Sequence, residues 1–220
     1  MQSITQIFST TTIAFSLLQY DVSYIELLGT IAGLLSVWWA TRNNIFTWYI
    51  GFVNVLAFLL IFFQVQLYAD MLLQVFYLFA TAYGLYKWNK NGAQEELKIT
   101  HIDKCGALSV TAMTVLMFSI FYAFTNLLPV VFANQQLKPP AYAFADSLLS
   151  AASVVTTGLI ARKRIEAWLL WIVIDFASVA MYLQKGVLFI AIEYGLFGVL
   201  AIIGYVQWKR MMGQLSISIR

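Results

Sequence analysis

The chain has 220 residues, of which 61% are hydrophobic and 10% charged, with a mean hydropathy of +0.79. A soluble domain is roughly 45–50% apolar and about 25% charged, so an ordinary soluble enzyme is excluded and an all-α integral membrane protein is expected. Formal charge is +3, but where the Lys and Arg residues fall matters more than their sum, because loop distribution sets membrane orientation.

The first residues, "MQSITQIFSTTTIAFSLLQY", lack the Lys or Arg that a secretory signal requires ahead of its apolar stretch. Residues 1–23 are therefore expected to be an amphipathic segment, a short helix lying at the membrane surface. Apolar runs of about 20 residues, broken at charged or turn-forming clusters, predict seven spans near 24–41, 45–63, 67–88, 105–132, 142–161, 165–184 and 187–208. The expected organisation is a three-helix unit over 24–88, a cytoplasmic loop at 89–104 and a linking span at 105–132. A loop and helix start at 133–145, a second three-helix unit over 146–208 and a cytoplasmic tail at 209–220 complete it. His101 falls in the polar loop, and the lone Cys105 reads as a packing residue.

With the N-terminus outside, the inner segments hold Arg42, Lys87, Lys90, Lys98, Lys104, Arg162, Lys163, Arg164, Lys209, Arg210 and Arg220, and the outer segments hold Lys138 and Lys185. That asymmetry predicts a periplasmic N-terminus and a cytoplasmic C-terminus. Laying residues 26–88 over 146–208 without gaps matches Arg42 to Arg162, Trp48 to Trp168, Gln64 to Gln184, Gly84 to Gly204 and Trp88 to Trp208, with Glu26 facing Asp146. Polar, glycine and tryptophan matches are harder to obtain by chance than apolar ones. A 3+1+3 architecture follows, two parallel three-helix repeats joined by one span.

Polar residues collect on single faces. Trp168, Trp171, Asp175, Ser178 and Tyr182 lie within about 80° on the sixth span, and Gln66, Asp70, Gln74, Tyr77, Thr81, Gly84 and Trp88 within a similar arc on the third. The seventh span presents Glu193, Tyr194, Phe197, Gly204 and Trp208, and the second Asn44, Trp48, Gly51 and Asn54. A stripe of Glu26, Thr30 and Gly33 on the first span is echoed by Asp146, Ser150 and Ser153 on the fifth, a pattern suited to close helix approach. An ionised carboxylate at mid-membrane costs at least about 2.5–3.5 kcal/mol, so Asp175 and Glu193 are expected to face a wet pocket. Capping explains Glu26 and Asp146 as readily as ligand contact, Asp70 reads as a first-turn acid, and Trp88 and Trp208 read as interfacial anchors.

No His cluster, HExxH, GxSxG or phosphate-cradling glycine loop stands in the chain, and no catalytic residue, metal or cofactor is expected. Two acids among aromatic faces suit a flat polar solute carrying positive charge, with Gln74 and Asn54 able to bond hydroxyls or an amide. Nucleic acid is not expected as a partner; the bilayer and a small solute are.

The stretches "IELLGTIAGLLSVWWATR", "GFVNVLAFLLIFFQVQLYADMLLQVFYLFATAYG", "WLLWIVIDFASV" and "AIEYGLFG" closely resemble the PnuC nicotinamide riboside transporters of bacterial inner membranes. The similarity runs from about residue 24 to 208 and includes the W-x2-W-x3-[DN] pattern, here Trp168, Trp171 and Asp175. The resemblance implies a fold similar to SWEET transporters, a homotrimer, and import of nicotinamide riboside by facilitated diffusion, with cytosolic phosphorylation trapping the solute on the way to NAD. It implies a substrate site at Trp168, Trp171, Asp175, Glu193 and Tyr194, with Asn54, Gln74, Tyr77 and Trp48 from the first half. Glu26, Asp70 and Asp146 are candidate gate or structural groups. The W-x2-W pattern is not repeated in the first half, where Gly51 follows Trp48, so two unequal half-sites are expected. A same-fold carrier of thiamine or riboflavin, or a sensor that binds without transport, are the alternatives.

Overall fold

The computed structural model describes residues 8–17, 20–64, 68–90, 98–131, 142–184, 186 and 188–218. Two strands, β1 (Ile13–Leu17) and β2 (Tyr20–Ser23), precede helices α1 (Tyr24–Thr41), α2 (Phe46–Gln64), α3 (Tyr68–Lys90), α4 (Lys104–Val131), α5 (Ala143–Ala161), α6 (Glu166–Gln184) and α7 (Leu188–Ser218). These helices begin and end within two residues of the predicted spans, except that α7 continues to Ser218 through the expected tail. Much of the expected loops falls at 91–97 and 132–141, outside the described residues, as does Gln66. Among the described residues, six helices are long and apolar enough to cross a membrane. The other, α3, has the length, at 23 residues, but spends it on Asp70, Gln74, Tyr77, Thr81 and Lys87.

Residues 13–17 and 20–23 pair as antiparallel strands, not as the surface helix expected of the N-terminal segment, whose first seven residues lie outside the described ones. Ile13 and Phe15 favour extended backbone, and neighbouring groups hold it there. Gln64 at the end of α2 donates from Nε2 to the Phe8 carbonyl (2.8 Å) and accepts from the Thr10 N–H (3.0 Å). Ser23 caps α1: its Oγ accepts from the Glu26 N–H, the Glu26 carboxylate accepts from the Ser23 N–H, and Tyr20 donates to the same carboxylate at 2.6 Å. Glu26 is thus a capping-box residue.

Helices α1, α2, α3, α5, α6 and α7 close a ring in that order, and α4 packs mainly on α5, outside it. The offset of 120 residues that relates Arg42 to Arg162 in sequence recurs in the backbone. Both α1 and α5 end in a tight turn whose second residue takes a left-handed conformation, Asn43 at φ 55° and Lys163 at φ 51°. Asn44 N–H bonds to Trp39 O as Arg164 bonds to Leu159 O, and Trp48 N–H to Ile45 O as Trp168 to Ile165 O.

The core lies at this end of the ring. Trp48 meets Trp88 edge to face at 5.5 Å, and Trp168 meets Trp208 in the same way at 5.5 Å. Trp88 Nε1 donates to the Ala161 carbonyl (3.1 Å) and Trp208 Nε1 to the Ala40 carbonyl (2.9 Å), so each half donates to the other. Trp88 and Trp208 are buried, at 8% and 0% exposure, and are not the interfacial anchors that their positions at span ends imply. The α3–α4 connection joins the same core: Ile99 is buried in it, Thr100 pairs with Arg164, and Glu166 accepts from the Ile102 N–H at 3.0 Å.

A methyl group at Gly204 would stand 2.6 Å from the Trp168 ring, and one at Gly84 2.4 Å from that of Trp48. Gly204→Ala should therefore cost about 1–3 kcal/mol through overpacking, whereas Gly158→Ala, with nothing within 4 Å, should hold or raise stability. Thermal unfolding of the detergent-purified variants checks this, and equal melting of the two would show that the indole seat is loose.

Candidate functional site

Inside the ring, polar groups are stacked along the helix axes in three levels. At the tryptophan end lie Trp48 and Trp168, at 4% and 1% exposure. Their Nε1 atoms are buried and find no hydrogen-bond partner among the described residues, although both rings are firmly seated. Buried donors are seldom left so. Trp171, one turn along α6, is half-buried against the same core.

The middle level centres on Asp175, in the middle of α6 and 2% exposed. The face of α7 that meets it carries Gly198, where a Cβ would lie 3.5 Å from the Asp175 Cβ. Tyr77 of α3 and Tyr194 of α7 are both within electrostatic range of the Asp175 carboxylate, and the Tyr77 hydroxyl is within hydrogen-bonding reach of the Ser153 side chain on α5. Gln74, a turn before Tyr77, is 8% exposed, and its Oε1 is buried without a partner among the described residues. Asp175 makes no ion pair among the described residues.

Toward the hairpin end, Tyr194 stacks on Tyr182 (5.4 Å between centroids, 15° between planes). Glu193, the next residue back on α7, lies in electrostatic range of Glu26, and Tyr182 in range of Asp70, Asp146 and Glu193. Carboxylates from α1, α3, α5 and α7 therefore converge at one end of the ring. The described Arg and Lys side chains, such as Arg42, Lys87, Arg162 and Lys209, stand at the other.

The structure thus brings Gln74, Tyr77, Asp175, Glu193 and Tyr194 together, with Trp168, Trp171 and Trp48 at the tryptophan end. Asn54 is engaged elsewhere. Its Nδ2 donates to the Gly29 carbonyl at 2.8 Å and fills the space beside Gly33, so it clamps α1 to α2. Ser153, which the sequence offers as a helix-packing residue, faces Tyr77 instead. The usable signal was its place in the repeat, where the first half has Gly33. Chemically the site offers a carboxylate, two indole N–H donors, an amide acceptor and several ring faces, a set suited to binding and with no nucleophile–base pair.

A family profile described as "Nicotinamide mononucleotide transporter" matches residues 23–210. The "Nicotinamide riboside transporter PnuC" of Escherichia coli strain K12 is 36% identical over 206 residues, 86% of each chain, and its Shigella flexneri counterpart matches equally. The "Riboflavin/roseoflavin transporter RibM" of Streptomyces davaonensis is 23% identical over 202 residues, 89% of each chain. Among solved structures, the "Vitamin B3 transporter PnuC" superposes with a TM-score of 0.67 at 19% identity, covering 97% of this chain and 87% of that one. That similarity carries the fold.

Proposed function

The chain belongs to the nicotinamide mononucleotide transporter family, and from that membership and the site we infer that its solute is nicotinamide riboside, moved by facilitated diffusion through alternating access. The observation that carries the reading is Asp175: a carboxylate held at 2% exposure in the middle of a membrane helix, with no ion pair among the described residues. A buried acid of this kind calls for a partner, and the pyridinium ring of the riboside is a cation that aromatic faces also attract, by about 0.5–2 kcal/mol. A mononucleotide would bring a phosphate among Asp175 and Glu193 with no described Lys or Arg at that depth to receive it.

On this reading Trp168, Trp171, Asp175, Gln74, Tyr77, Glu193 and Tyr194 contact or enclose the solute. Trp48 joins Trp168 at the floor, where an acceptor on the solute would satisfy the free indole N–H groups. Glu26, Asp70 and Asp146 draw cations toward the acidic end. The protein sits in the bacterial inner membrane with a periplasmic N-terminus and a cytoplasmic C-terminus, in the sense of its Lys and Arg distribution. Its helices form a 3+1+3 arrangement, supported by the recurrent turns and the reciprocal tryptophan bonds, and three copies assemble as the resemblance implies. Cytosolic phosphorylation then traps the riboside for NAD synthesis. The RibM relative favours riboflavin as a second reading.

Thermal shift against nicotinamide riboside, nicotinamide mononucleotide, thiamine and riboflavin separates these solutes, since a ligand at a hundredfold excess over Kd stabilises by about 2.7 kcal/mol. The riboside alone should raise the melting temperature; a shift with riboflavin or thiamine instead would move the substrate within the fold. In proteoliposomes, Asp175→Ala should weaken riboside uptake by roughly tenfold or more, as the loss of a charged hydrogen-bond partner implies, while leaving the protein folded. Unaltered uptake kinetics would remove Asp175 from the site.

A further inference from the structure

The two seams that join the halves of the ring, α3 against α5 and α7 against α1, are equivalent under the 120-residue offset. They are lined with opposite chemistry. On the first seam α3 presents Gln74 and Tyr77, with Ser153 of α5 opposite the Tyr77 hydroxyl. The same offset puts Tyr194 and Phe197 of α7 at the positions of Gln74 and Tyr77, and Gly33 of α1 at that of Ser153. An amide, a tyrosine and a serine are answered by a tyrosine, a phenylalanine and a glycine, so the second seam lacks the amide and the facing pair of hydroxyls.

The geometry of the second seam shows that this difference is built in. Phe197 and Tyr194 meet edge to face at 6.3 Å, and Tyr194 is itself stacked on Tyr182. A Cβ at Gly33 would lie 3.2 Å from the Phe197 ring and 2.8 Å from Asn54 Nδ2, so a serine there would collide with its neighbours. On the first seam, Ser153 is 7% exposed and Gln74 8%, and the Gln74 Oε1 is a buried acceptor with no donor among the described residues. An acceptor in that position, one turn along α3 from Tyr77, is complementary to a solute that brings hydroxyl groups of its own.

We propose that the α3–α5 seam, through Gln74, Tyr77 and Ser153, reads the hydroxyl groups of the solute, and that the α7–α1 seam, through Tyr194 and Phe197, takes its ring. Ser153 and Phe197 are then specificity residues, and broken internal symmetry orients an asymmetric solute. The inference rests on the riboside reading: it assigns the two ends of that molecule, a polyol and a flat cation, to two walls.

The test uses purified protein in proteoliposomes with labelled nicotinamide riboside, and 1-methylnicotinamide as a competitor that keeps the cationic ring and lacks the ribose. The double variant Tyr77→Phe with Ser153→Gly copies the pair that the other seam already packs, and Tyr77→Phe alone removes a single oxygen. For both, the half-saturating riboside concentration should rise, by about tenfold in the double variant, with maximal rate within about twofold and inhibition by 1-methylnicotinamide unchanged. Phe197→Leu should weaken both compounds alike. Equal loss for the two compounds in the Tyr77 variants, or no loss for the riboside, overturns the assignment of the walls. Failure of 1-methylnicotinamide to compete in the unmodified protein overturns the ring wall. An unmodified protein that does not carry the riboside overturns the solute reading, and is seen before any variant is made.

Discussion

A buried indole N–H left without an acceptor is costly, because the low-dielectric interior offers no water to replace one. In this chain Trp88 and Trp208 find theirs across the molecule, on the carbonyls of Ala161 and Ala40. Each bond ties the end of the third helix of one half to the end of the first helix of the other. The glycines at 84 and 204 allow the neighbouring indoles to lie flat enough for both bonds to form. The two ties lie on the α3–α5 and α7–α1 seams, which close the ring.

The second half departs from the first along its middle helix. Gly51 is answered by Trp171, Val55 by Asp175 and Phe58 by Ser178. In the first half those positions serve close packing, with Gly51 near Ser36 and Gly29 against Phe58 and Ala57. In the second they introduce a carboxylate, a hydroxyl and a large ring at the same depth. The close contact of α1 with α2, fastened by Asn54, makes a solid wall. Across from it α6 carries the groups that can engage a solute.

Much of this was legible in the sequence. Apolar length located every helix, and the 120-residue repeat, read from tryptophans, glycines and charges, foretold the paired turns at Arg42 and Arg162. Asp175 was conspicuous because a charge in the middle of an apolar run has few structural excuses. The misreadings share a cause: helical periodicity gives the face of a residue and not its partner. Trp88 and Trp208 at span ends look the same whether they turn toward headgroups or toward a carbonyl of the other half. Asn54 sits on a polar face, and its Nδ2 donates to the backbone carbonyl of Gly29. Capping, which the sequence offered for Glu26 beside ligand contact, is the role it takes, with Ser23 three residues before it in the capping-box spacing. The hairpin could not be foreseen, because pairing between residues 13–17 and 20–23 leaves no clear alternation to distinguish it from a short amphipathic helix.

The exchange of tryptophan bonds also bears on ancestry. Each half carries one donor, at Trp88 or Trp208, and one acceptor, at Ala40 or Ala161, so neither is complete alone and both are incomplete in the same way. Two copies of a single half, set side by side in one direction, would meet each other's need with the same pair of bonds. A gene coding for one such half would thus make a protein that self-associates by default. Fusion of two copies through a linking span such as α4, which keeps both halves in one direction, would release the two sets of interior residues from having to be identical, as Asp175 at the position equivalent to Val55 illustrates.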